Sequence, residues 1–199
     1  LTFSVGDGTA DGTMTFTGTV ANINTALAGL SFAPTANFNG AASLQIVTND
    51  QGNTGTGGPL SDSDTVAITV TAVNDAPTAT ITPVTYAATE QITLPLAGSG
   101  LSIGDVDAGG ASVTTTLSVV SGTLNVTAGT TGVTVAGSGT ATVTLTGTLT
   151  QINNLLAGNL GATADYIINS NTPPASDTLT LSVDDGGNTG GGALTGSDT

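Results

Sequence analysis

The sequence predicts an all-β protein made of tandem Greek-key β-sandwich repeats, each with one short crossover helix. Three observations lead to this prediction. Glycine accounts for 29 of the 199 residues, and with frequent threonine it favours many short strands joined by tight turns. Apolar and polar residues alternate along several short segments, as they do on half-buried strands. Parts of the sequence also recur in the same order, as in repeat architectures.

The clearest predicted strand lies within residues 61–77. Val66, Ile68 and Val70 alternate with small or polar residues, which is the period of a half-buried strand. Pro77 has no N–H to donate to a strand partner, and it biases the preceding residue toward an extended conformation. We therefore expect the strand to run into a short linker at residues 74–77.

The repeat divides the chain around this linker. Residues 16–20 match residues 145–149, and residues 24–29 match residues 153–158 at the same offset. The run Gly-Asn-Thr-Gly occurs near residue 52 and again near residue 187. We therefore interpret residues 1–73 as the C-terminal part of one repeat, and residues 78–199 as a second repeat that lacks its last strand. We expect the natural chain to continue beyond Thr199, or a neighbouring chain to supply that strand.

The second repeat contains most of the predicted strands, separated by clusters of Gly and Asp. Short strands at such spacing are typical of a Greek-key sandwich. The predicted strands cover residues 78–86, 91–96, 112–120, 123–127, 132–135, 140–145 and 178–183.

One short helix is expected in each repeat. Gly29 and Gly158 are the predicted C-terminal stops. The apolar stripe of each helix is expected to pack in the core. The apolar residues with helical spacing are Val20, Ile23, Leu27 and Leu30 in the first repeat, and Leu149, Ile152, Leu155 and Leu156 in the second.

The charge composition excludes several functions. The chain has no Lys, Arg, His or Cys, and its 14 acidic residues give a net charge of −14. Nucleic acids and anionic lipids therefore have no cationic partner here. No apolar run reaches the ~18–20 residues of a membrane span, so we expect no membrane insertion. Without a His base, a Lys amine or a Cys thiolate, the common nucleophilic mechanisms are absent, and the sequence predicts a protein that is not an enzyme.

Several acidic and amide residues are expected to meet at one end of the second repeat. Alternate loops of an antiparallel sandwich lie at the same end, which groups the linker, the loop at residues 98–111 and the end of the strand at residues 178–183. Oxygen ligands of this kind suit Ca²⁺. The alternative is that each Asp caps its own turn, and an EF-hand is excluded because Thr116 occupies the position of its closing Glu. The residues expected to meet at this end of the repeat are Asn74, Asp75, Asp105, Asp107 and Asp184 or Asp185.

A family resemblance adds to this prediction. Residues 184–199, and residues 50–65 with the following Val-Ala-Ile-Thr-Val-Thr-Ala-Val-Asn-Asp-Ala-Pro run, resemble the end of a cadherin-like, immunoglobulin-like repeat. They are most similar to the tandem repeats of giant bacterial surface adhesins, including RTX adhesins. The Asp105-Val-Asp107-Ala-Gly segment and Asn37-Phe38-Asn39-Gly40 are similar to the same family.

The resemblance implies an extracellular, cell-surface extender protein whose partners are neighbouring repeats or identical subunits. It also implies Ca²⁺ at the junctions between repeats, held by Asn74, Asp75, Asp105, Asp107 and Asp184 or Asp185. Glu90 would serve the next junction downstream, and Asp50 the junction upstream. The chain departs from animal cadherins because it has no Arg for their Asp-Arg-Glu motif, and only Asp177 lies near that place. Between residues 33 and 48 there is no carboxylate at all.

Other functions remain open from the sequence. A carbohydrate-binding module is one alternative, although the aromatic residues such sites use are few, with Tyr86, Tyr166 and four Phe. A filament subunit completed by strand donation from a neighbour is another. Asp62, Asp64 and Asp198 are expected to be solvated turn residues. Asn125-Val126-Thr127 fits a glycosylation acceptor that is common by chance.

Overall fold

The computed structural model describes residues 1–199 and divides into two compact units, Leu1–Val70 and Thr71–Thr199. Antiparallel strands form several sheets, and there are only two short α-helices. The prediction of an all-β protein is therefore confirmed. Neither α-helix is long and apolar enough to cross a membrane.

The first unit contains two antiparallel strand pairs and one helix. Strand β1 pairs with β2, and β3 pairs with β4 over ten residue pairs, from Gly40↔Val70 to Asn49↔Ser61. No residue of this unit is buried; its best-covered side chains are half-exposed. Its elements are β1 (Thr2–Val5), β2 (Thr15–Thr17), α1 (Val20–Leu27), β3 (Gly40–Asn49) and β4 (Ser61–Val70).

The second unit contains three sheets. A five-stranded sheet has the order β10-β11-β8-β13-β14, a three-stranded sheet has the order β6-β12-β9, and β5 pairs with β7. The elements are β5 (Thr78–Ile81), β6 (Leu94–Pro95), β7 (Leu101–Gly104), β8 (Ser112–Val119), β9 (Thr123–Thr127), β10 (Thr134–Ala136), β11 (Thr142–Thr148), α2 (Leu149–Leu156), β12 (Thr163–Ile167), β13 (Leu179–Asp184) and β14 (Thr195–Asp198).

The core of the second unit is aliphatic, because strands β8, β9, β11 and β13 each point alternate side chains inward. Helix α2 closes one side of it and buries Ile152, Leu155 and Leu156. Aliphatic side chains with no exposed surface are Leu117, Leu124, Val143, Leu145, Ile152, Leu155, Leu156 and Leu181.

Both predicted helices are present at the predicted places, but the prediction that each packs an apolar stripe in a core is wrong for α1, none of whose residues is buried. Each begins after a threonine that caps it, Thr19 for α1 and Thr148 for α2. The Thr148 cap is a complete capping box, because Gln151 also bonds back to the cap, and this satisfies two helix-end donors. Gly158 follows α2 in the left-handed conformation with φ 72°, as a C-terminal stop requires.

Several strand predictions were wrong in extent. The predicted strand at 78–86 ends at Ile81, because Pro83 cannot continue a ladder. The predicted strand at 91–96 shortens to the two residues of β6. Strand β12 was not predicted, since its Ala-Asp sequence has low strand propensity. Strand β7 lies inside residues 98–111, which the sequence predicted to be a loop.

The prediction of turn positions for three acids was also wrong. Asp62 and Asp64 lie within β4, opposite Thr48 and Ile46 of β3, because the pairing extends farther than the apolar alternation. Asp198 lies within β14. Its Oδ2 accepts a hydrogen bond of 2.7 Å from the backbone N–H of Ile81.

Candidate functional site

The candidate site is built on the turn that follows β7. Here Asp105 braces its own turn, since its Oδ1 accepts hydrogen bonds from the backbone N–H groups of Asp107 at 3.0 Å and Ala108 at 3.2 Å. The other carboxylate oxygen, Oδ2 of Asp105, is buried without a partner, and so is Oδ1 of Asp107. Buried polar atoms are almost always hydrogen-bonded. Two unpartnered carboxylate oxygens two residues apart therefore call for an explanation.

The electrostatics of this pair are unfavourable. Burial raises the pKa of Asp105, and the neighbouring Asp107 carboxylate raises it further. No Lys, Arg or His is present anywhere in the chain to offset this. Crowded carboxylates of this kind favour either a proton or a cation between them.

The linker at residues 74–77 lies against this turn. The backbone N–H of Asp75 donates to Oδ2 of Asp107 at 3.0 Å. The hydroxyl of Thr189, in the loop between β13 and β14, donates to the backbone oxygen of Asp107 at 2.8 Å. The linker and two loops therefore meet at Asp107. The carboxylate of Asp75 itself lies on an exposed residue.

Asp185 lies at the base of the β13–β14 loop and is 1% exposed. Its Oδ1 accepts from the backbone N–H groups of Gly187 at 2.7 Å and Leu194 at 2.8 Å, and its Oδ2 accepts from the Asn74 amide at 2.7 Å. The Leu194 N–H is the main cause that lowers the pKa of Asp185. Both oxygens are already satisfied, so Asp185 acts as a brace that ties Asn74 of the linker to the loop.

Asp50 braces the first unit in the same way. Its Oδ1 accepts from the backbone N–H groups of Gly52 at 2.8 Å and Leu60 at 2.9 Å, and its own N–H donates to the oxygen of Leu60 at 3.1 Å. The corresponding N–H of Asp185 donates to the oxygen of Leu194, also at 3.1 Å. We call this arrangement the Asp-braced loop; it occurs at residues 50–60 and again at residues 185–194.

Sequence reasoning assigned both braces to metal binding. The signal for the alternative was present, since an Asp two residues before a Gly is typical of an Asx turn. The glycines have left-handed conformations, with φ 66° at Gly52 and 67° at Gly187.

Two further predicted ligands, Asp184 and Glu90, make no hydrogen bond to the Asp105–Asp107 pair. Oδ1 of Asp184 accepts from the backbone N–H of Gly186 at 2.8 Å. Glu90 is exposed in the turn before β6 and lines a groove that also includes Tyr86 and Asp177.

Asp177, which lies near the place of the Asp-Arg-Glu motif in the resemblance described above, makes several contacts. Its carboxylate accepts from the Tyr166 hydroxyl at 2.9 Å and from the backbone N–H groups of Val120 and Ser121. Burial is the main cause that raises the pKa of Tyr166 to about 12, and the Asp177 carboxylate adds to it. These contacts fix the start of β13 to the end of β8, which is a structural role.

No group of three or more acidic side chains is close enough to hold a metal ion together. The residues that fit a hard cation are thus the pair Asp105 and Asp107, with its two unpartnered oxygens. A cation there would draw its remaining oxygens from backbone carbonyls, from water or from Asp75, in keeping with the mixed oxygen ligands of Ca²⁺ sites.

Comparison of the chain with protein-family models, with curated proteins and with solved structures finds no match.

Proposed function

We propose that this chain is an extender segment of a secreted, cell-surface adhesin or extracellular filament of bacterial type. In this proposal the two units are cadherin-like Greek-key β-sandwich repeats, and the chain is not an enzyme. The Asp-braced loop supports two copies of one repeat, because the same carboxylate contacts close the loop at Asp50 and at Asp185. The chain's role is mechanical, and its partners are neighbouring repeats.

Ca²⁺ is the proposed cofactor, held by Asp105 and Asp107. The observation that supports it is the pair of buried carboxylate oxygens without partners, beside a linker whose Asp75 N–H already bonds to Asp107. A bound cation would neutralise the pair and fasten residues 74–77 to the turn after β7. A linker fixed in this way bends less, which is what an extender requires.

The proposal predicts a calcium-dependent melting temperature. Extracellular Ca²⁺ sites typically have a Kd of about 10⁻⁴–10⁻³ M, so about 10 mM Ca²⁺ stabilises the folded state by roughly 1.4–2.7 kcal/mol. A unit of the length of Thr71–Thr199 has an unfolding entropy of about 0.27 kcal/mol/K. We therefore expect Tm to rise by about 5–10 °C over the value in EDTA.

Differential scanning calorimetry in EDTA, Ca²⁺ and Mg²⁺ would measure this shift. We expect Asp107→Asn to abolish it. The matched control is Asp165→Asn, because Asp165 lies on β12 away from the turn, and this variant should respond to calcium like the parent chain. A melting curve of the parent chain that is the same in calcium and in excess EDTA would refute the cofactor.

A further inference from the structure

An asparagine–glycine pair lies at the start of β3, outside the candidate calcium site. Asn39 and Gly40 end the Asn37-Phe38-Asn39-Gly40 segment, and they form the only Asn-Gly pair in the chain. Gly40 is the first residue of β3 and is paired with Val70 of β4, whereas Asn39 lies in the irregular loop before the strand. The side-chain amide of Asn39 is therefore followed directly by the backbone nitrogen of a glycine.

The Asn39 amide is free to turn. Asn39 is exposed, and its side chain makes none of the protein hydrogen bonds that hold other Asn side chains. The Asn74 side chain, for example, is held by Asp185, and the Asn153 side chain by the backbone of Ile103. An amide held in this way cannot approach the nitrogen of the next residue without losing its bonds, whereas Asn39 has none to lose.

The nitrogen of Gly40 is accessible as well. Gly40 has a φ of 112°, a conformation that glycine adopts readily because it has no Cβ. Apart from its chain neighbours, a Cβ built at Gly40 would meet no atom within 4 Å, so the space around this residue is open. The Gly40↔Val70 pair is also the last pair of the β3–β4 ladder, and the ends of elements open at the lowest free-energy cost. The Gly40 nitrogen is therefore released from the sheet more readily than the nitrogens of the interior pairs.

We propose that Asn39–Gly40 is a site of spontaneous deamidation, with water as the only co-reactant. The Gly40 nitrogen gives up its proton to solvent and attacks Cγ of Asn39. A bond forms between that nitrogen and Cγ, the bond from Cγ to Nδ2 breaks, and Nδ2 takes up a proton and leaves as ammonia. Water then opens the resulting cyclic succinimide at one of its two carbonyls, which gives aspartate or isoaspartate. No atom is oxidised or reduced.

The neighbouring Asn37 shows why the reaction selects Asn39. Asn37 is exposed in the same loop, but the nitrogen that would attack it belongs to Phe38. That N–H donates a hydrogen bond of 3.1 Å to the oxygen of Thr35, and the Phe38 side chain adds bulk beside it. Asn37 is therefore an internal control for Asn39.

The second unit exposes the same loop but lacks the reactive pair. Aligning the two units on the β3–β4 and β13–β14 pairings places Pro174 where the first unit has Asn39. Pro174 is exposed too, so exposure at this position is common to both units. Proline has no amide side chain, and the modification is therefore confined to the first unit.

Each deamidation changes both the charge and the backbone of the first unit. It makes the chain one unit more negative than its −14 and puts a carboxylate into residues 33–48, which otherwise have none. Isoaspartate also carries the main chain through the former side chain, which adds one carbon atom directly before the Gly40↔Val70 pair. The first unit thus changes with the age of the chain and without an enzyme. This effect goes beyond the proposed extender function and does not depend on calcium.

Incubation of the intact chain at mildly alkaline pH and body temperature tests the proposal. Anion-exchange chromatography over time should show a growing species that is more acidic than the parent chain. Digestion with pepsin and tandem mass spectrometry would locate the change, because trypsin has no Lys or Arg at which to cut. Labelling by isoaspartyl methyltransferase would measure the isoaspartate. We expect conversion at Asn39 and several-fold less conversion at Asn37.

Two variants identify the reacting groups. Asn39→Gln should abolish the acidic species that arises at this site, because the longer side chain would have to close a larger ring, which forms far more slowly. Gly40→Ala should slow the conversion of Asn39 several-fold, because a Cβ shields the attacking nitrogen. Alanine at this φ is strained, so circular dichroism would check that both variants keep the strand content of the parent chain.

A parallel incubation of the chain in urea shows whether the folded state permits the reaction. Conversion of the folded chain at Asn39 supports the proposal. Conversion only in urea would overturn it, since the end of β3 would then protect the pair. Conversion that maps mainly to another Asn, or a Gly40→Ala rate equal to that of the parent chain, would overturn it too. The calcium shift in Tm does not depend on any of these results, so the two proposals can fail separately.

Discussion

Replacing Asp105 by Asn should raise the stability of the chain without calcium and weaken its response to calcium. In the parent chain, Oδ1 of Asp105 accepts two backbone hydrogen bonds, and its Oδ2 has no partner. Asn keeps the accepting oxygen and places an NH₂ group where Oδ2 was. That group can donate to the unpartnered Oδ1 of Asp107, and the like-charge repulsion disappears.

The size of the gain follows from the unpartnered oxygens. A buried acceptor without a partner costs about 1–3 kcal/mol. Asp105 is only half-buried, and solvent screening reduces the penalty to the lower end, about 1 kcal/mol. With an unfolding entropy of about 0.27 kcal/mol/K, Tm in EDTA should rise by about 4 °C. The calcium shift of Asp105→Asn should fall below roughly 2 °C, because one of two carboxylates is gone.

The pH dependence gives a second check on the same variant. The pKa of Asp105 in the folded chain lies above its ordinary value of 3.8, so the ionised form destabilises the fold. The penalty is absent below about pH 3.8 and complete above the raised pKa. The advantage of Asp105→Asn over the parent chain should therefore appear at neutral pH and vanish in acid. Thermal unfolding from pH 3 to pH 8 in EDTA would measure it, with Asp165→Asn as the control. A lower Tm for Asp105→Asn at neutral pH would refute the reasoning, since it would show that the ionised carboxylate stabilises its own turn.

Two further predictions concern the contacts that hold the second unit together. The Asn153 side chain of α2 accepts from the backbone N–H of Ile103 at 2.9 Å and donates to its oxygen at 2.8 Å, so Asn153→Ala should lower the unfolding free energy by about 2–4 kcal/mol in urea titrations. The control is Asn154→Ala, which loses only a bond to an exposed Asn and should change the unfolding free energy by less than about 0.5 kcal/mol. Equal effects of the two variants would contradict this account. The pKa of Asp185 is lowered from 3.8, mainly by the Leu194 N–H, so its stabilising effect is present above pH 3.8 and is lost as pH falls through the lowered value. In chemical unfolding, the parent chain should be more stable than Asp185→Asn at pH 7, and the difference should narrow as pH falls below 3.8. A difference that stays constant with pH would show that charge is not involved.

The sequence predicted the all-β class and both helices because these depend on local patterns. Val20, Ile23 and Leu27 carry the helical period by themselves, and Thr148 and Gln151 form a cap although they are only three residues apart in the sequence. Strand β12 could not be predicted in this way. Its Ala164 and Tyr166 are buried because β6 and β9 lie on either side of it. Pairing with distant strands cannot be inferred from the five residues of β12 alone.

The candidate site was predictable only in part. The Asp-x-Asp spacing at Asp105 and Asp107 was informative because two carboxylates so close must share one turn. The grouping of Asp185 with them assumed that an acid near a loop end points toward its neighbours. The structure shows that the Asp185 oxygens accept hydrogen bonds from its own loop and from Asn74. The direction in which an acidic side chain points depends on which backbone N–H groups of the loop have no other acceptor.

The Asp-braced loop also bears on how such a chain can diversify. Each loop is closed at its base by one carboxylate that bonds the residue beginning the return, Leu60 in one case and Leu194 in the other. The tip between base and return contributes none of these closing contacts beyond the glycine. Residues 54–58 can therefore change in length or sequence while the strands that leave the loop keep their register. Residues 190–192 have less freedom, because the Gly192 oxygen accepts a hydrogen bond of 2.9 Å from the Asn74 amide and a Cβ at Gly190 would lie 2.5 Å from the backbone of Ala72. The hairpin end of the first unit is in that sense an insertion point, at which new surface chemistry can be displayed without redesign of the sheet beneath it.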